Sequence, residues 1–366
     1  MPYGTVNADV IQTSTTGGIL GAGNASIMKN RIINGAMVID QRNAGATVTP
    51  NNSYTLDRWF ALNSQTSKFA VQQNANSATP PIGFTKFLGV QSSSAYSVLT
   101  GDYFSVGQRI EGFNIADLGW GTANAKTITL SFQVQSSLTG TFGGSLRNGA
   151  GNRSYPFTYT ISSASTWTSI SITIAGDTTG TWSTDNSTGI EVDFGLGAGS
   201  TYSGTAGSWS AGNYVTATGA VSVVGTNGAT FYITGVQLEV GSSATGFEYR
   251  QYTTELQLCQ RYYWKNTSVA AYGNMAIGSC DGSTIGIGYA KYPVTMRAVP
   301  TVSYSTIRIA DGTVASAVTS ISYNSSTYEN MGVAFVASGG GLTLGRAVQI
   351  QGNNSTTAYI DATAEL

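Results

Sequence analysis

The sequence predicts an all-β protein: a jelly-roll sandwich, then a short helix, then a smaller C-terminal β-sandwich. Three observations predict this. Several segments alternate apolar and polar residues with the period of a half-buried strand. Charged residues make up only 10% of the 366 residues, against roughly 25% in typical globular domains, and 46 glycines and 20 tyrosines are present. One short segment alone has helical spacing. Together these features indicate strands joined by many turns under a neutral polar surface.

The clearest strands lie in the middle of the chain. Residues 127–135, 169–176 and 190–197 each place aliphatic or aromatic side chains on one face and polar or small ones on the other. One-sided strands at short intervals, separated by glycine-rich turns, predict two antiparallel sheets packed face to face. Further along, within residues 231–240, the alternation slips at Gly235, which predicts a β-bulge there.

The segments before this region are less regular. Residues 1–30 are polar and rich in glycine, and we interpret them as an N-terminal attachment arm with little core of its own. Residues 31–40 carry two short apolar runs around Asn34-Gly35, which predict either one bent strand or two strands with a tight turn. The predicted jelly-roll domain extends over residues 31–250.

A short amphipathic helix is predicted over residues 254–263. Thr254 and Gln257 have the spacing of a capping box, and an apolar stripe follows at Leu256, Cys259, Tyr262 and Tyr263. We assign residues 251–265 to a helical neck between two domains. The stripe either packs within its own chain, which we favour, or meets its copies around a threefold axis. In both cases Cys259 is a small buried apolar residue.

Residues 266–366 predict a second, smaller β-domain. Its alternation changes phase at Thr306, which indicates two short strands on either side of that residue. Residues 332–350 predict a hairpin around three consecutive glycines, and residues 358–366 predict a terminal strand.

Composition excludes several classes of function. The net charge is −1 and no basic run occurs, so neither nucleic acid nor an anionic membrane is expected as a partner. Histidine is absent, which removes His-based triads and imidazole zinc sites. No apolar run approaches the ~20 residues that cross a bilayer, and the first ten residues show no secretory signal. We expect no disulfide between Cys259 and Cys280.

The acidic residues do not indicate a catalytic centre. Glu191 and Asp193 lie two positions apart on one strand and therefore share a face. We interpret them as a solvent-facing acidic pair opposite the apolar face, because any amphipathic strand shows this pattern. Asp177 and Asp185 lie in turn-like sequence and are interpreted as turn-capping residues. The sequence therefore predicts no enzymatic activity and no catalytic residues.

Aromatic residues in loops are the candidates for ligand binding. Tyrosine and tryptophan rings pack against the apolar faces of sugars, while amides and hydroxyls fix their orientation. Tyr202 and Trp209 lie in a glycine-rich loop and are our ligand-binding candidates in the first domain. The alternative is that these rings only cover the end of the sandwich, and we favour that alternative for Trp182. In the second domain the candidates are Tyr323 and Tyr328, for which ordinary turn residues are the alternative.

The chain resembles structural fibre proteins of tailed bacteriophages. The resemblance is carried by segments between about residues 30 and 305, which are NRIINGAMVIDQRNAG, YTLDRW, GDTTGTW, FYITGVQLEVGSSATGFEYR, TELQLCQRYYWK and YPVTMRAVPTV. It implies a jelly-roll of the carbohydrate-binding-module type, a small C-terminal β-domain, a homotrimer and contact with a host surface.

The expected function follows from this resemblance. The chain is expected to form a trimeric fibre or spike of the virion, on the tail or the capsid, made in the host cytoplasm. Its N-terminal arm would contact other virion proteins, and its body would bind a host-surface glycan without cleaving it. Two alternatives stay open: a structural capsid-decoration or tail protein without a ligand, and a polysaccharide depolymerase.

The same resemblance implies no cofactor beyond a structural calcium ion in some members. Asp40, Asp57 and Glu239 are the carboxylates that would supply such a site here. The sequence shows no compact calcium-loop spacing around them, so the presence of a metal is left open.

Overall fold

The chain forms two compact units, residues 1–252 and 253–366. In this computed structural model the described part comprises residues 28–366, together with the backbone of residues 10–12 and 19–21. The predicted N-terminal arm therefore lies almost entirely outside the described residues. Within the described chain, no helix is both long and apolar enough to cross a membrane.

The regular secondary structure of the first unit consists almost entirely of short and medium strands. They are β1 (Val10–Gln12), β2 (Ile19–Gly21), β3 (Ser53–Leu56), β4 (Trp59–Asn63), β5 (Phe69–Gln73), β6 (Leu88–Ser92), β7 (Tyr103–Glu111), β8 (Ile128–Ser136), β9 (Gly140–Asn148), β10 (Arg153–Ile161), β11 (Thr168–Ile174), β12 (Thr188–Ala198), β13 (Ser203–Gly204), β14 (Ser210–Ala211), β15 (Thr216–Ala217) and β16 (Thr230–Val240). Short 3₁₀ turns at Ala75–Ser77, Gly112–Asn114 and Ala116–Leu118 connect some of them.

Two large antiparallel sheets form the body of this unit, and β1-β2 and the parallel pair β13-β15 lie outside them. Seven strands are ordered β14-β10-β9-β12-β7-β4-β3, and five are ordered β11-β8-β16-β6-β5. Their apolar faces meet in one core, where Phe132 of the five-stranded sheet packs edge-on against Phe194 of the seven-stranded sheet at 5.0 Å between ring centroids. Both rings are buried. The predicted all-β sandwich is confirmed.

The three predicted strands are present; burial alternates along β8 and β11 as expected, whereas β12 is buried on both sides. The segments 127–135, 169–176 and 190–197 correspond to β8, β11 and β12. The predicted bulge is also confirmed, because the pairing of β16 with β8 shifts register between Thr234 and Gln237. Gly235 has φ 62° there, and a Cβ would lie 2.5 Å from the ring of Phe84, so a side chain is excluded on two grounds.

The prediction of one or two strands over residues 31–40 is wrong. Asn34 and Met37 have φ values of 58° and 59°, in the left-handed region that extended strands do not use. The amide of Asn34 accepts a hydrogen bond from Ile39 N at 3.0 Å and donates one to Ile39 O at 2.8 Å. The side chain thus replaces the backbone pairing that a strand would need.

A loop covers part of the outer face of the seven-stranded sheet. We call residues 203–217 the covering segment; β13 and β15 pair with each other within it, whereas its β14 is the edge strand of the sheet itself. A Cβ on Gly195 would lie 2.6 Å from Thr216 Cβ, and one on Gly143 would lie 2.5 Å from Thr216 Oγ1. Glycine at these two outward positions lets the backbone of the covering segment approach the sheet.

The second unit follows a single helix. Its elements are α1 (Tyr252–Gln260), β17 (Tyr263–Thr267), β18 (Asn274–Cys280), β19 (Ile285–Lys291), β20 (Thr301–Ser305), β21 (Ile307–Ala310), β22 (Ala315–Asn324), β23 (Asn330–Ala337), β24 (Ala347–Gly352) and β25 (Tyr359–Thr363). The helix ends three residues before the predicted limit, because Tyr263 pairs with Thr363 as the first residue of β17. Cys259 is fully buried, as expected of a small apolar residue.

The small C-terminal β-domain is confirmed, and its strands close into a barrel. Six strands are ordered β18-β19-β23-β22-β21-β24 around the barrel, and β17-β25-β20 form a separate sheet. The phase change at Thr306 is confirmed by its φ of 54°, which separates β20 from β21. The hairpin predicted over residues 332–350 is wrong: β23 pairs with β19 and β22, whereas β24 pairs with β18 and β21.

Substitution of Gly195 by alanine is expected to destabilise the first unit by about 1–3 kcal/mol, because the new methyl group would press against Thr216. The free energy of unfolding from urea titration measures the effect. Gly246→Ala is the control, since a Cβ there meets no atom within 4 Å, and it should change stability by less than about 0.5 kcal/mol. Equal effects of the two variants would contradict the close approach.

The turn after β21 predicts a pH-dependent contribution to stability. Asp311 Oδ1 accepts hydrogen bonds from Val314 N, Thr313 N and Thr313 Oγ1 at 2.8, 2.9 and 2.8 Å. These bonds hold the pKa of Asp311 well below its ordinary value. A lowered pKa means that the ionised carboxylate stabilises the fold above about pH 4 and that this stabilisation is lost as the pH falls.

Asp311→Asn is therefore expected to lower the unfolding temperature at pH 7. The difference from the natural protein should shrink as the pH is reduced below 4. Thermal unfolding followed by circular dichroism between pH 7 and pH 2 measures both quantities. A difference that stays constant over this range would show that the charge of Asp311 is not what stabilises the turn.

Candidate ligand-binding pocket

Four charged side chains meet on the outer face of the seven-stranded sheet. In β12 the apolar residues face the core, so Glu191 and Asp193 point to the other side. The strand register then fixes their neighbours. Glu191 lies directly opposite Arg109 of β7 on one side and opposite Arg147 of β9 on the other. Pairing of the three strands thus brings two cations and two anions together.

Arg147 is the centre of this network. Its Nε donates to Asp193 Oδ2 at 2.9 Å and its Nη2 to Glu191 Oε1 at 2.6 Å, and its Nη1 donates to Asn213 Oδ1 of the covering segment. Arg109 Nε donates to the other oxygen of Glu191 at 3.3 Å. Arg147 and Glu191 are each 6% exposed and Asp193 is 0% exposed.

The interpretation of Glu191 and Asp193 as a solvent-facing pair is therefore wrong. The covering segment shields this part of the sheet, and the buried carboxylates are balanced by the guanidinium of Arg147. Burial raises the pKa of Asp193 to about 6, although the charge of Arg147 acts in the opposite direction. Burial alone would lower the pKa of Arg147, but Asp193 and Glu191 raise it above its ordinary value.

A pocket of about 280 Å³ opens beside this network. Two tyrosine rings form one wall: Tyr103 of β7 and Tyr202 lie edge to face, with centroids 4.7 Å apart. The guanidinium of Arg109 stacks over Phe60 at 4.2 Å. Other residues that line the pocket are Leu62, Arg109, Arg147, Glu191, Asn213, Val215 and the loop of residues 148–151. The pocket therefore combines aromatic surface with amide, carboxylate and guanidinium groups.

The structure separates the two candidates of the first unit. Tyr202 lines the pocket, whereas Trp209 packs edge-on against Trp120 and Trp182, with centroids 5.2 and 5.3 Å away. The indole N–H of Trp209 donates to Ala175 O at 2.7 Å. This cluster joins the main core, which is the covering role that we considered as the alternative for these rings.

The two candidates of the second unit are both half exposed. Tyr323 lies on β22 opposite Ala334, with 46% exposure. Tyr328, at 51% exposure, lies in the loop before β23, where its carbonyl oxygen accepts a hydrogen bond from Met296 N at 2.7 Å. A ligand-binding role for Tyr202, Trp209, Tyr323 and Tyr328 stays a prediction.

Sequence reasoning missed most residues of the pocket. Tyr103, Arg109 and Arg147 lie at outward positions of strands, where side chains are usually solvated and carry no specific signal. Only the pairing of β9, β12 and β7 brings them together. The available signal was the unusual pair Glu191 and Asp193, which needs a cationic neighbour if its face of the sheet is covered.

The three carboxylates implied as calcium ligands are held in separate networks. Asp57 accepts hydrogen bonds from the backbone and side-chain nitrogens of Gln41 at 2.7 and 2.6 Å. Asp40 accepts them from Asn43 N and Gly45 N. Glu239 accepts them from Gln237 Nε2 and Thr245 N, with Lys29 Nζ at 3.7 Å. Across the described residues, no three acidic or cysteine side chains are grouped to hold a metal ion.

Asp177 and Asp185 act in turns, as the sequence predicts. Asp185 Oδ1 accepts hydrogen bonds from Ser187 N and Oγ. Asp177 accepts one from Thr179 N and is also paired with Arg153 through both carboxylate oxygens, at 2.7 and 2.8 Å.

Comparisons with known proteins show only distant structural similarity. No protein-family model and no curated protein matches the sequence. Among solved structures, the enzymatically active domain of tailspike protein 4 from bacteriophage CBA120 is 14% identical, with 58% of this chain and 22% of that chain covered and a TM-score of 0.30.

Two further solved structures are similar over their whole length. A protein from Bacteroides thetaiotaomicron that is provisionally described as sugar-binding is 12% identical, with 58% of this chain and 100% of that chain covered and a TM-score of 0.35. A family 11 carbohydrate-binding module of a cellulosomal cellulase from Clostridium thermocellum is 13% identical, with 56% and 100% covered and a TM-score of 0.27. Similarities this weak do not assign a function, so the geometry of the pocket has to support one.

Replacing Arg147 by methionine is expected to destabilise the first unit by about 3–5 kcal/mol, because Glu191 and Asp193 would remain buried without their cation. Urea unfolding measures the loss. Lys126→Met is the control: Lys126 pairs with Asp117 at 4.0 Å and both side chains are about half exposed, so loss of this surface pair should cost less than about 1 kcal/mol. The triple change R147M/E191Q/D193N should recover part of the stability; no recovery would contradict an electrostatic origin.

Proposed function

We propose that this chain is a bacteriophage virion fibre or spike protein whose first unit binds a host-surface glycan reversibly. One observation supports the binding function above all others: the pocket places the rings of Tyr103 and Tyr202 beside a rigid set of polar groups. Tyrosine rings provide apolar surface for a pyranose ring. The polar groups provide directional hydrogen bonds, as small-molecule sites require.

The network around Arg147 suits the recognition of an uncharged sugar. The charges of Arg109 and Arg147 are balanced by those of Glu191 and Asp193, so the pocket imposes no strong preference for an anion or a cation. The ion pairs also hold these side chains in one orientation before a ligand arrives. Such preorganisation reduces the entropy that binding would otherwise cost.

The proposed binding involves no cleavage. Glycosidases place two carboxyl groups on opposite sides of the scissile bond, with one protonated as the acid. Glu191 and Asp193 instead come from one strand and are engaged by one guanidinium, that of Arg147. This arrangement supports a structural role for the carboxylates in shaping the pocket.

The virion role and the assembly depend on the sequence resemblance to phage fibre proteins. We propose a homotrimer that is made in the host cytoplasm and incorporated into the virion. The N-terminal residues would contact other virion proteins, and the folded units would face the host. No contribution from nucleic acid, membrane insertion or a cofactor is included in this proposal.

The binding function is tested with Tyr202→Ala and Tyr103→Ala in the full chain. A glycan array with the natural protein identifies a sugar, and calorimetry with that sugar then measures affinity. Each variant is expected to bind about tenfold more weakly, a loss of roughly 1.4 kcal/mol, because a ring that contacts the sugar is removed. Tyr252→Ala is the control, as Tyr252 is 61% exposed and lies outside the pocket.

Other outcomes distinguish the alternatives. Loss of affinity in Tyr323→Ala or Tyr328→Ala, with Tyr202→Ala unaffected, would move the binding site to the second unit. Release of reducing ends from capsule or lipopolysaccharide would replace the proposal by a depolymerase. An array without a single bound glycan, together with normal virion assembly, would replace it by a purely structural role.

A further inference from the structure

The pocket beside Arg147 has a wall at each end of the strands beneath it. At one end, Tyr103 begins β7 and its ring meets that of Tyr202 at 4.7 Å between centroids. At the other end lies the turn of residues 148–151, which follows β9. These two positions are at opposite ends because β7 and β9 both pair antiparallel with β12 and therefore run in the same direction.

Two further elements form walls on the remaining sides. The strand order β9-β12-β7-β4 places β4 and β9 on opposite sides of the pocket. Leu62 of β4, which lies opposite Ser105 of β7, provides the wall on one side. Asn213 and Val215 of the covering segment provide the other, above β9, where Asn213 accepts a hydrogen bond from Arg147. The pocket thus has walls on four sides.

Neighbouring walls are joined to one another. Val215 N donates to Tyr202 O at 2.9 Å, which connects the covering segment to the two tyrosines. Gly212 N donates to Asn152 O at 3.3 Å, which connects the same segment to the chain directly after the turn of residues 148–151. On the far side, β4 reaches the tyrosine wall through its pairing with β7. The walls therefore surround the pocket instead of forming the two sides of an open groove.

The ion-paired side chains form the floor and fill the last corner. Arg147 and Glu191 are both buried. The guanidinium of Arg109 lies over Phe60 of β4 at 4.2 Å, and its Nε donates to Glu191 Oε2 at 3.3 Å. The side chain of Arg109 is therefore held between β4 and β12. Since the sheet lies below and walls stand on four sides, the pocket opens outward, away from the sheet.

This shape limits what can enter. The volume of about 280 Å³ lies just below the roughly 300 Å³ at which sites for drug-sized ligands begin, and it accommodates one sugar ring with its hydroxyl groups. A polysaccharide that binds along its length needs an open path on both sides of the bound residue. A sugar at the end of a chain, or a branch of a single sugar, needs one opening.

We propose that the pocket binds the non-reducing terminal residue of an uncharged glycan, at a chain end or a single-sugar branch. This inference rests on the proposed glycan-binding function and adds the part of the glycan that is recognised. A terminal residue carries a hydroxyl group where an internal residue carries a glycosidic bond. At the floor, this hydroxyl donates to Glu191 and accepts from Arg109, whereas an attached sugar would collide with the sheet.

The length of the glycan tests this inference. A glycan array printed with neutral saccharides identifies a bound sugar, and calorimetry with the full chain then uses its methyl glycoside and its linear oligomers from dimer to hexamer. All are expected to bind with affinities within about twofold of one another, because rings beyond the first add no contact and hence no binding free energy. Tyr202→Ala should weaken the methyl glycoside and the hexamer by the same factor.

Blocking the chain end provides a second measurement. In this probe, the hydroxyl groups of the non-reducing terminal residue of the hexamer are methylated. It is expected to bind at least a hundredfold more weakly than the unmodified hexamer, by about two of the factors of ten that separate affinities, because polar groups at the floor lose their partner. A hexamer methylated only at its reducing end is the control and should bind like the unmodified one.

Ala150→Tyr tests the wall formed by the turn. Ala150 is exposed and lines the pocket, so a ring at this position narrows the opening and should weaken binding of the methyl glycoside about tenfold. Ala164→Tyr is the matched control, since Ala164 is exposed in the same unit and lies outside the pocket. Unchanged thermal unfolding would show that both variants are folded, and the length series needs no variant.

Three results would overturn the inference. Affinity that rises about tenfold or more from the methyl glycoside to the hexamer, with the end-methylated hexamer still bound, would show that an internal stretch is recognised and would leave the glycan-binding function intact. Binding that Tyr202→Ala and Ala150→Tyr both leave unchanged would place recognition outside the pocket. An array without a bound glycan would remove both the glycan-binding function and the specificity for a terminal residue.

Discussion

The ion pairs of Arg147 are the interaction on which the candidate site depends. Three neighbouring strands each contribute a charged residue to the same side of the sheet, and a loop covers them. Without a cation between them, Glu191 and Asp193 would be too costly to bury. With Arg147 in place, both sides of the seven-stranded sheet can be shielded from water. The first side is covered by the apolar core and part of the second by the covering segment.

The same contacts position the pocket. Arg147 donates to Asn213, which belongs to the covering segment, and this segment also includes the loop of Val215 and Thr216 above Gly195. Gly195 and Arg147 therefore act together. Gly195 allows the covering segment to approach the sheet closely, and the hydrogen bond from Arg147 to Asn213 holds the segment there. Tyr202, the residue directly before this segment, meets Tyr103 of the sheet as a result. Aromatic surface and polar groups are thus adjacent because of backbone geometry.

In the second unit, the main constraint is the pairing of strand edges. Its strands are short, and an open pair of small sheets would leave many edges unpaired. Closure of six strands into a barrel pairs those edges. Closure also separates β23 from β24, which are consecutive in sequence, and leaves every second side chain on the outside. Where these outward residues are Ile277 and Tyr289, the barrel retains apolar surface that stays exposed among the described residues.

The sequence by itself determined the all-β class, the main strands of the sandwich, the bulge at Gly235, the phase change at Thr306 and the single short helix. These features are local. Alternation of apolar and polar residues shows which side of a strand is apolar, and a residue with a left-handed backbone conformation interrupts that alternation. Only the tertiary structure decided that Glu191 and Asp193 are buried, that residues 332–350 are not a hairpin and that Tyr202 and Trp209 belong to different sites. Each of these depends on which strand lies alongside and what covers the second side of the sheet, and alternation along one strand carries no information about its neighbours.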